Sequence, residues 1–356
     1  MSVAKIAKVA GVSPATVSRV LNNHPAVRRE TKEQVRKVIS DFHYTLPASR
    51  RSARGEERSI WRTGNIAVLA FAAGTRQRQL RVPIFAAALE GIIDSARELD
   101  LKVIVDDVPD SAELPRAVRQ REVDGVLAIV PANVEAAMPH VEAIGRYVPV
   151  VRAMGEAIGG HFGIDHVGPD NVAVGRAAYE YLASRGCAEL AFVTTWPQWA
   201  MNYARAAGFA AAATREGKVL PACYFPGKEP QIQVGHYGQR VVSCRSNEEL
   251  ADHLVTSSTR AKVGLFISRD RDALPLWPLL KERGLRPGTE NFEVISCDND
   301  EALLSMLDPR PPSIDLCPEQ VGRRAVARLG GRIRQPNDPP FRTLVLPQVV
   351  MASPNA

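Results

Sequence analysis

The stretch Ala10-Gly11-Val12-Ser13-Pro14-Ala15-Thr16-Val17-Ser18-Arg19-Val20-Leu21-Asn22 decides how the front of this 356-residue chain folds. Gly11 can end a helix in the left-handed conformation, and Ser13-Pro14 can begin the next: serine accepts the free N–H groups of a first turn, and proline's fixed φ suits the position just inside it. Ahead of the stop, Val3, Ile6, Ala7 and Ala10 fall at i, i+3, i+4 and i+7, which predicts a short amphipathic helix. Behind the start, Pro14 to Asn22 forms a helix with Val17, Val20 and Leu21 inward and Ala15, Thr16, Ser18, Arg19 and Asn22 outward. A third helix, about Glu30 to Phe42, buries Val35, Val38, Ile39 and Phe42. Two short helices around a tight glycine turn with a third packed across them make a helix-turn-helix.

Charge separates a nucleic-acid arm from a merely solvated three-helix bundle. Residues 1–62 hold 13 Lys/Arg against 5 Asp/Glu, whereas residues 63–356 hold 32 against 34, so the chain's net +6 is a +8 head on a −2 body. In a DNA-bound helix-turn-helix the second helix enters the major groove. Pro14 and Ala15 are small enough to let it approach, and Arg19 is the outward side chain able to pair bidentately with guanine. Ser13, Thr16, Ser18 and Asn22 suit phosphate oxygens, which fix register without reading sequence.

The run from Lys5 to Asn22, with Val27, Thr31 and Tyr44 beyond it, resembles the headpiece of the lactose-repressor (LacI/GalR) family of transcription regulators. The resemblance implies base reading by Pro14, Ala15 and Arg19, and backbone contacts by Ser13, Thr16, Ser18, Asn22 and Tyr44. Arg28 stands where the family has a helix-capping serine, exchanging a cap for a phosphate-seeking charge. The linker TLPASRRSARGEERSIWRT (45–63) has no apolar stripe, as a flexible tether would have none. In the family this stretch forms a hinge helix whose leucine wedges into the minor groove; the matching position here is Ala53, whose methyl cannot unstack a base step. Minor-groove contact is therefore expected from Arg50, Arg51 and Arg54, with less bending of the duplex.

From Asn65 onward, strands alternate with helices. Apolar strands are expected at 65–73, 101–108, 123–131, 149–153, 189–195, 262–268 and 292–298, and helices at 83–100, 170–184 and 199–216. Repeated βα units imply parallel sheets covered on both faces, and nearly 300 residues of them imply two lobes. Ligands of such sheets bind beyond the carboxyl ends of the strands. The expected fold is an all-α helix-turn-helix headpiece plus an α/β two-lobed sensor domain. Its boundaries are headpiece 1–45, hinge 46–63 and sensor 64–356.

The same body resembles the family's periplasmic-binding-protein-like sensor. Asp170-Asn171 with Gly175, Arg205 to Phe209, and Phe266 to Asp270 with Ala273 carry the likeness, and Arg269 replaces an asparagine. The resemblance implies effector contacts from Asp170, Arg205 and Asp270 and a stacking role for Phe85. It also implies three crossings between the lobes, near 163, 291 and 318. That composes one lobe of about 64–163 and 292–318 and the other of about 164–291 and 319–356. Trp196 and Trp199 follow a strand, where an aromatic face stacks on a sugar ring or a base.

The remaining features exclude more than they add. Cys187, Cys223, Cys244, Cys297 and Cys317 form no C-x-x-C pair and read as reduced core residues. His161, Asp165 and His166 match no metal-ligand spacing and read as a polar loop, so neither metal nor cofactor is expected. No phosphate-binding loop, nucleophile elbow or dinucleotide fingerprint occurs, which argues against catalysis. No signal-like apolar stretch and no run of about 18 apolar residues is present, the pattern of a cytoplasmic, nucleoid-associated protein. The C-terminal FRTLVLPQVVMASPNA has no heptad repeat, so the expected assembly is a homodimer on a pseudo-palindromic double-stranded operator, regulated by a sugar-like effector and acting as a repressor. An activator of the same architecture, or a solute sensor whose head meets a protein, stays open.

Overall fold

In the computed structural model the described residues are 60–71, 82–108, 113–130, 134–156, 163–227, 240–242 and 244–352. In the headpiece they are 7, 9–13, 16–17, 20, 31–35 and 38. The chain divides into two units, Met1–Glu56 and Glu57–Ala356, within the stretch expected as linker.

In the first unit Ala7, Ala10, Val17, Val20 and Val35 are buried together, with Val12 and Val38 packed against them. Gly11 has φ +61°, the left-handed stop read from the sequence. Ser13 Oγ accepts from Thr16 N at 3.1 Å and lies 2.9 Å from Thr16 Oγ1, so Ser13 caps the second helix rather than standing free. Of the expected DNA contacts, Pro14, Ala15, Ser18, Arg19, Asn22, Arg28, Tyr44, Arg50, Arg51, Ala53 and Arg54 lie outside the described residues.

The second unit holds two sheets. The first runs, in spatial order, Arg342–Val345 (β12), Asp165–Pro169 (β5), Val150–Ala153 (β4), Gly125–Ile129 (β3), Asn65–Phe71 (β1) and Lys102–Val108 (β2), every pair parallel. The second runs Gln348–Val350 (β13), Ser313–Asp315 (β11), Phe292–Cys297 (β10), Val263–Ile267 (β9), Glu189–Val193 (β6), Ala222–Tyr224 (β7) and Arg240–Val242 (β8). Only its β11–β13 pair is antiparallel. The strand residues explain their places. Ile66 to Phe71 is continuously apolar and buried, as a central strand between two helical layers must be, whereas β2, at the edge, exposes Ile104 and Val105. Each sheet has a buried cluster on either face.

The lobes are composed differently from the expectation. Phe292–Cys297 pairs with β9 and so belongs to the second sheet, while β12 and the Pro318–Arg334 helix belong to the first. The chain crosses after Pro169, between Asp315 and Pro318, and between Val345 and Gln348; only the crossing near 318 was anticipated. Strands β5, β7, β8, β11, β12 and β13 were not anticipated. Of these, β5 overturns a stated reading: Asp165-His166-Val167 lies in a strand, not in a polar loop, and alternating apolar residues do not announce it. The sensor also begins earlier than residue 64. Trp61 is 8% exposed within the first lobe's core, and Asp124 accepts from Thr63 N and Gly64 N at 2.8 and 2.9 Å.

Helix pairs in both lobes meet backbone to backbone. Gly175 of the Asn171–Ser184 helix faces Arg205 and Phe209, and Gly208 of the Ala200–Arg215 helix faces Val172. Gly91 and Gly322 play the same reciprocal part between the Pro83–Glu98 and Pro318–Arg334 helices.

Candidate functional site

In the second sheet the strand order reverses between β6 and β9, and doubly wound sheets bind ligands at the carboxyl ends of such a pair. The loop after β6 carries Trp196 and Trp199; the loop after β9 carries Ser268 and Arg269. The two tryptophan rings stack at 4.7 Å and 21°. Asn202, buried, fixes their loop by donating to Thr194 Oγ1 at 3.0 Å and to the Trp196 carbonyl at 2.8 Å. Trp196 remains 37% exposed, so one ring is presented to solvent.

Arg269 underlies the pair, its guanidinium carbon 5.0 Å from the Trp199 ring and 5.9 Å from that of Trp196. Arg269 Nη2 donates to Asp272 Oδ1 at 2.7 Å, and Thr195 Oγ1 donates to the same oxygen at 2.8 Å. The arginine that departs from the family pattern is therefore accompanied by its own carboxylate.

Arg205 is 1% exposed. Its Nε donates to Asn171 Oδ1 at 3.0 Å, Nη1 donates to the Ser268 carbonyl, and Nη2 lies 3.7 Å from Asp298 Oδ1. Asp298 follows the end of β10 with φ 111°, its side chain 22% exposed. Burial raises its pKa to about 6, against the lowering effect of Arg205 and Arg269. The sequence reading missed Asp298; the signal was the cluster Asp298-Asn299-Asp300 at a strand end.

Asp270, expected to touch the effector, is fully enclosed. Its oxygens accept from Ser296 Oγ at 2.5 Å, Ser313 Oγ at 2.8 Å and Asp300 N at 2.7 Å, so it braces the strand ends from behind. Burial, followed by the charge of Asp298, raises its pKa to about 7. Phe85, expected to stack on a ligand, is 7% exposed inside the first lobe's core. Asp170 caps the Asn171–Ser184 helix, accepting from Ala173 N at 2.9 Å, and also lines a cavity of about 290 Å³ with Glu156, Asn171, Arg176 and Arg342. The structure thus brings Arg205, Trp196 and Trp199 together at the switch point and places Asp170 at the first crossing.

Beside that crossing Arg152, His166 and Arg342 sit in register on three adjacent strands. His166, 3% exposed, bonds the Met154 carbonyl through Nε2 at 3.1 Å. Burial, then the charge of Arg152, lowers its pKa to about 3. An unfolded chain takes up this proton below about pH 6.5, while the folded chain refuses it until about 3, so stability falls as pH falls through that window. The expected slope from this group is about 1.4 kcal/mol per pH unit. His166→Gln should flatten it, read from urea midpoints at pH 6.5, 5.5 and 4.5; identical slopes would refute the assignment.

Among the described residues no cluster of three His, Cys, Asp or Glu side chains can hold a metal ion, and no helix is long and apolar enough to cross a membrane. Four of the five cysteines are buried, and burial pushes the Cys223 thiol up to about 12.

Behind its headpiece the chain carries a two-lobed α/β unit of the periplasmic-binding-protein-like kind. The family model for bacterial regulatory proteins of the lacI family matches residues 2–46, and that for a periplasmic-binding-protein-like domain matches residues 179–351. The headpiece is thus of the lacI-family kind, and the larger part of the second unit is of the periplasmic-binding-protein-like kind. It is 26% identical to the HTH-type transcriptional regulator MalR of Streptococcus pneumoniae over 197 residues, 54% of this chain and 56% of that one. The chain thus spans little more than half the length of that curated relative. Two solved structures share the fold over nearly all of both chains. A complex of the transcriptional regulator CelR with cellobiose has TM-score 0.60 at 20% identity, covering 99% of each chain. The lac repressor dimer bound to operator and the anti-inducer ONPF has TM-score 0.59 at 20% identity, covering 98% of this chain and 97% of that one.

Proposed function

We propose that this protein is a ligand-responsive transcriptional repressor that binds a pseudo-palindromic operator as a homodimer in the cytoplasm. The observation that carries the reading is a lacI-type headpiece, holding the chain's basic excess, followed by a two-lobed unit with an arginine, a carboxylate and two stacked tryptophans at its switch point. Pro14, Ala15 and Arg19 read base edges, and Ser13, Thr16, Ser18, Asn22, Arg28 and Tyr44 hold the backbone. Arg50, Arg51 and Arg54 follow the minor groove past Ala53, with reduced bending of the duplex.

The proposed effector is a small polyhydroxylated molecule such as a sugar. Carboxylate and guanidinium groups exchange paired hydrogen bonds with vicinal hydroxyls, and the exposed face of Trp196 suits the apolar face of a ring. Arg205, Asp298, Trp196 and Trp199 make those contacts, with Asp170 at the rim. Two effector-loaded sensors change the separation of two heads, so effector and operator affinities are reciprocally coupled.

Fluorescence anisotropy on duplex DNA from upstream of the protein's own gene tests the reading. Affinity should fall about a thousandfold between 50 and 200 mM salt as counterions return to the phosphates. Titrating sugars, sugar acids and nucleobases into the preformed complex should identify a compound that shifts binding. Salt-insensitive or absent binding overturns the operator reading, and no response to any of these classes overturns the effector reading.

A further inference from the structure

A chain of buried polar contacts leads from the cleft to the hinge. Arg205 Nε donates to Asn171 Oδ1 at 3.0 Å, and Asn171 Nδ2 donates to Glu156 Oε2 at 2.9 Å. Glu156 Oε1 accepts from Arg342 Nη2, and the Glu156 carbonyl accepts from Arg152 Nη2 at 2.6 Å. Arg205 and Asn171 belong to the second lobe; Arg152, Glu156 and Arg342 belong to the first. Asn171 opens the helix just past the first crossing, and Arg342 lies in β12 just ahead of the third. The two crossings are themselves joined where Asp170 N donates to the Val345 carbonyl at 2.9 Å.

The burial of this chain limits how it can respond. Arg205, Asn171 and Arg152 are at most 2% exposed, and Glu156 is 9% exposed. An asparagine with both amide ends engaged cannot turn to satisfy one partner without abandoning the other. A carboxylate shared between an amide and a guanidinium is similarly constrained. Displacement of Arg205 therefore disturbs Asn171 and, through Glu156, Arg342, as well as its own contacts with the Ser268 carbonyl and Asp298.

We propose that Glu156 and Asn171 are positioning residues that couple the cleft arginine to the hinge strand β12, so that a ligand engaging Arg205 alters the third crossing. This rests on the effector reading for its regulatory meaning; the coupling itself is a property of the chain with or without a ligand. It makes Glu156, a residue of the first lobe, a determinant of how strongly the two bindings communicate.

Hydrogen–deuterium exchange on the full-length, ligand-free protein, followed by mass spectrometry of the 342–346 segment, tests the coupling. Arg205→Lys and Glu156→Gln should each speed exchange there about tenfold, the loss of one buried charge-assisted hydrogen bond. The double variant should be no faster than the faster single variant, because both substitutions break one connected chain. An effect near the product of the two, about a hundredfold, means independent sites and overturns the proposal. So does unchanged exchange at 342–346 in Arg205→Lys. Should either buried variant fail to fold, Arg342→Ala enters from the half-exposed end and should speed exchange at 171–175; no change there likewise overturns it. Since neither DNA nor effector is present, failure of the repressor reading would leave this result intact, and failure of the coupling would leave operator binding intact.

Discussion

Gly175→Val should destabilise the second unit by about 3 kcal/mol or more, because the clash it creates is with backbone rather than with movable side chains. A Cβ at this position would stand 1.9 Å from the Arg205 carbonyl oxygen and 2.5 Å from Phe209 N. The facing helix is equally closed, since a Cβ at Gly208 would stand 2.1 Å from the Val172 carbonyl oxygen. The two helices have to part, and Arg205 moves with the helix that carries it, away from Asn171 on the other. A functional loss should accompany the structural one: any compound that stabilises the unsubstituted protein should lose its thermal shift. Gly331→Ala is the control. It lies in a helix with nothing nearer than 3.7 Å and an ordinary φ, so it should gain up to about 1 kcal/mol of helix propensity. Equal urea midpoints for the two variants would refute the close-approach account.

Asp165→Ala should remove about 3–5 kcal/mol, the expected penalty for leaving buried charge without its partner. Asp165 is 1% exposed. Its carboxylate meets Arg332 Nε at 2.7 Å and Nη2 at 3.0 Å, Arg328 Nε at 2.9 Å, and Phe341 N at 2.6 Å. Burial opposes its ionisation, but Arg332, the Phe341 N–H and Arg328 together hold its pKa below the ordinary carboxylate value. The sign follows: this carboxylate contributes stability above the unfolded-state pKa, and the contribution is lost as pH falls through the lower folded value. The difference between the unsubstituted and variant proteins should therefore be large at pH 7 and should shrink in the acid range. A difference that does not change with pH would indicate lost packing rather than lost charge.

How much of this was legible differs between the two units. In the headpiece, local rules suffice: the Gly11 stop, the Ser13 cap and the spacings Val17–Val20 and Val35–Val38 act over three to five residues, and each holds in the described structure. In the sensor, apolar runs located the central strands, because β1, β3, β6, β9 and β10 are buried on both faces and must read as continuous hydrophobic segments. Local pattern does not say which sheet a strand joins. Phe292–Cys297 and Arg342–Val345 were assigned to the wrong lobes because both assignments depend on pairings with strands far away in sequence. β5 was missed for a different reason: Asp165 and His166 are polar residues whose burial only the arginines opposite, or the neighbouring carbonyl, can explain.

The site shows the same division. Arg205 and the tryptophans lie at the switch point, and a motif or a strand end marked them in the sequence. Asp270 was misassigned and Asp298 overlooked because two aspartates following neighbouring strands look alike until one is seen enclosed by Ser296 and Ser313 and the other facing Arg205. The helix at Asn247–Ser258 was not anticipated, although Ser246 stands three residues ahead of Glu249 and accepts from Glu249 N at 3.3 Å.

Trp61 lies against Gly330 near one end of the Pro318–Arg334 helix, whose other end begins at the second crossing, where Cys317 takes a left-handed φ of 51°. The helix is therefore a rod about 25 Å long, built into the first lobe, that joins the second crossing to Trp61 at the sensor end of the linker. A tilt of the first lobe by about 5° about the crossings would carry the Trp61 end of this helix through about 2 Å.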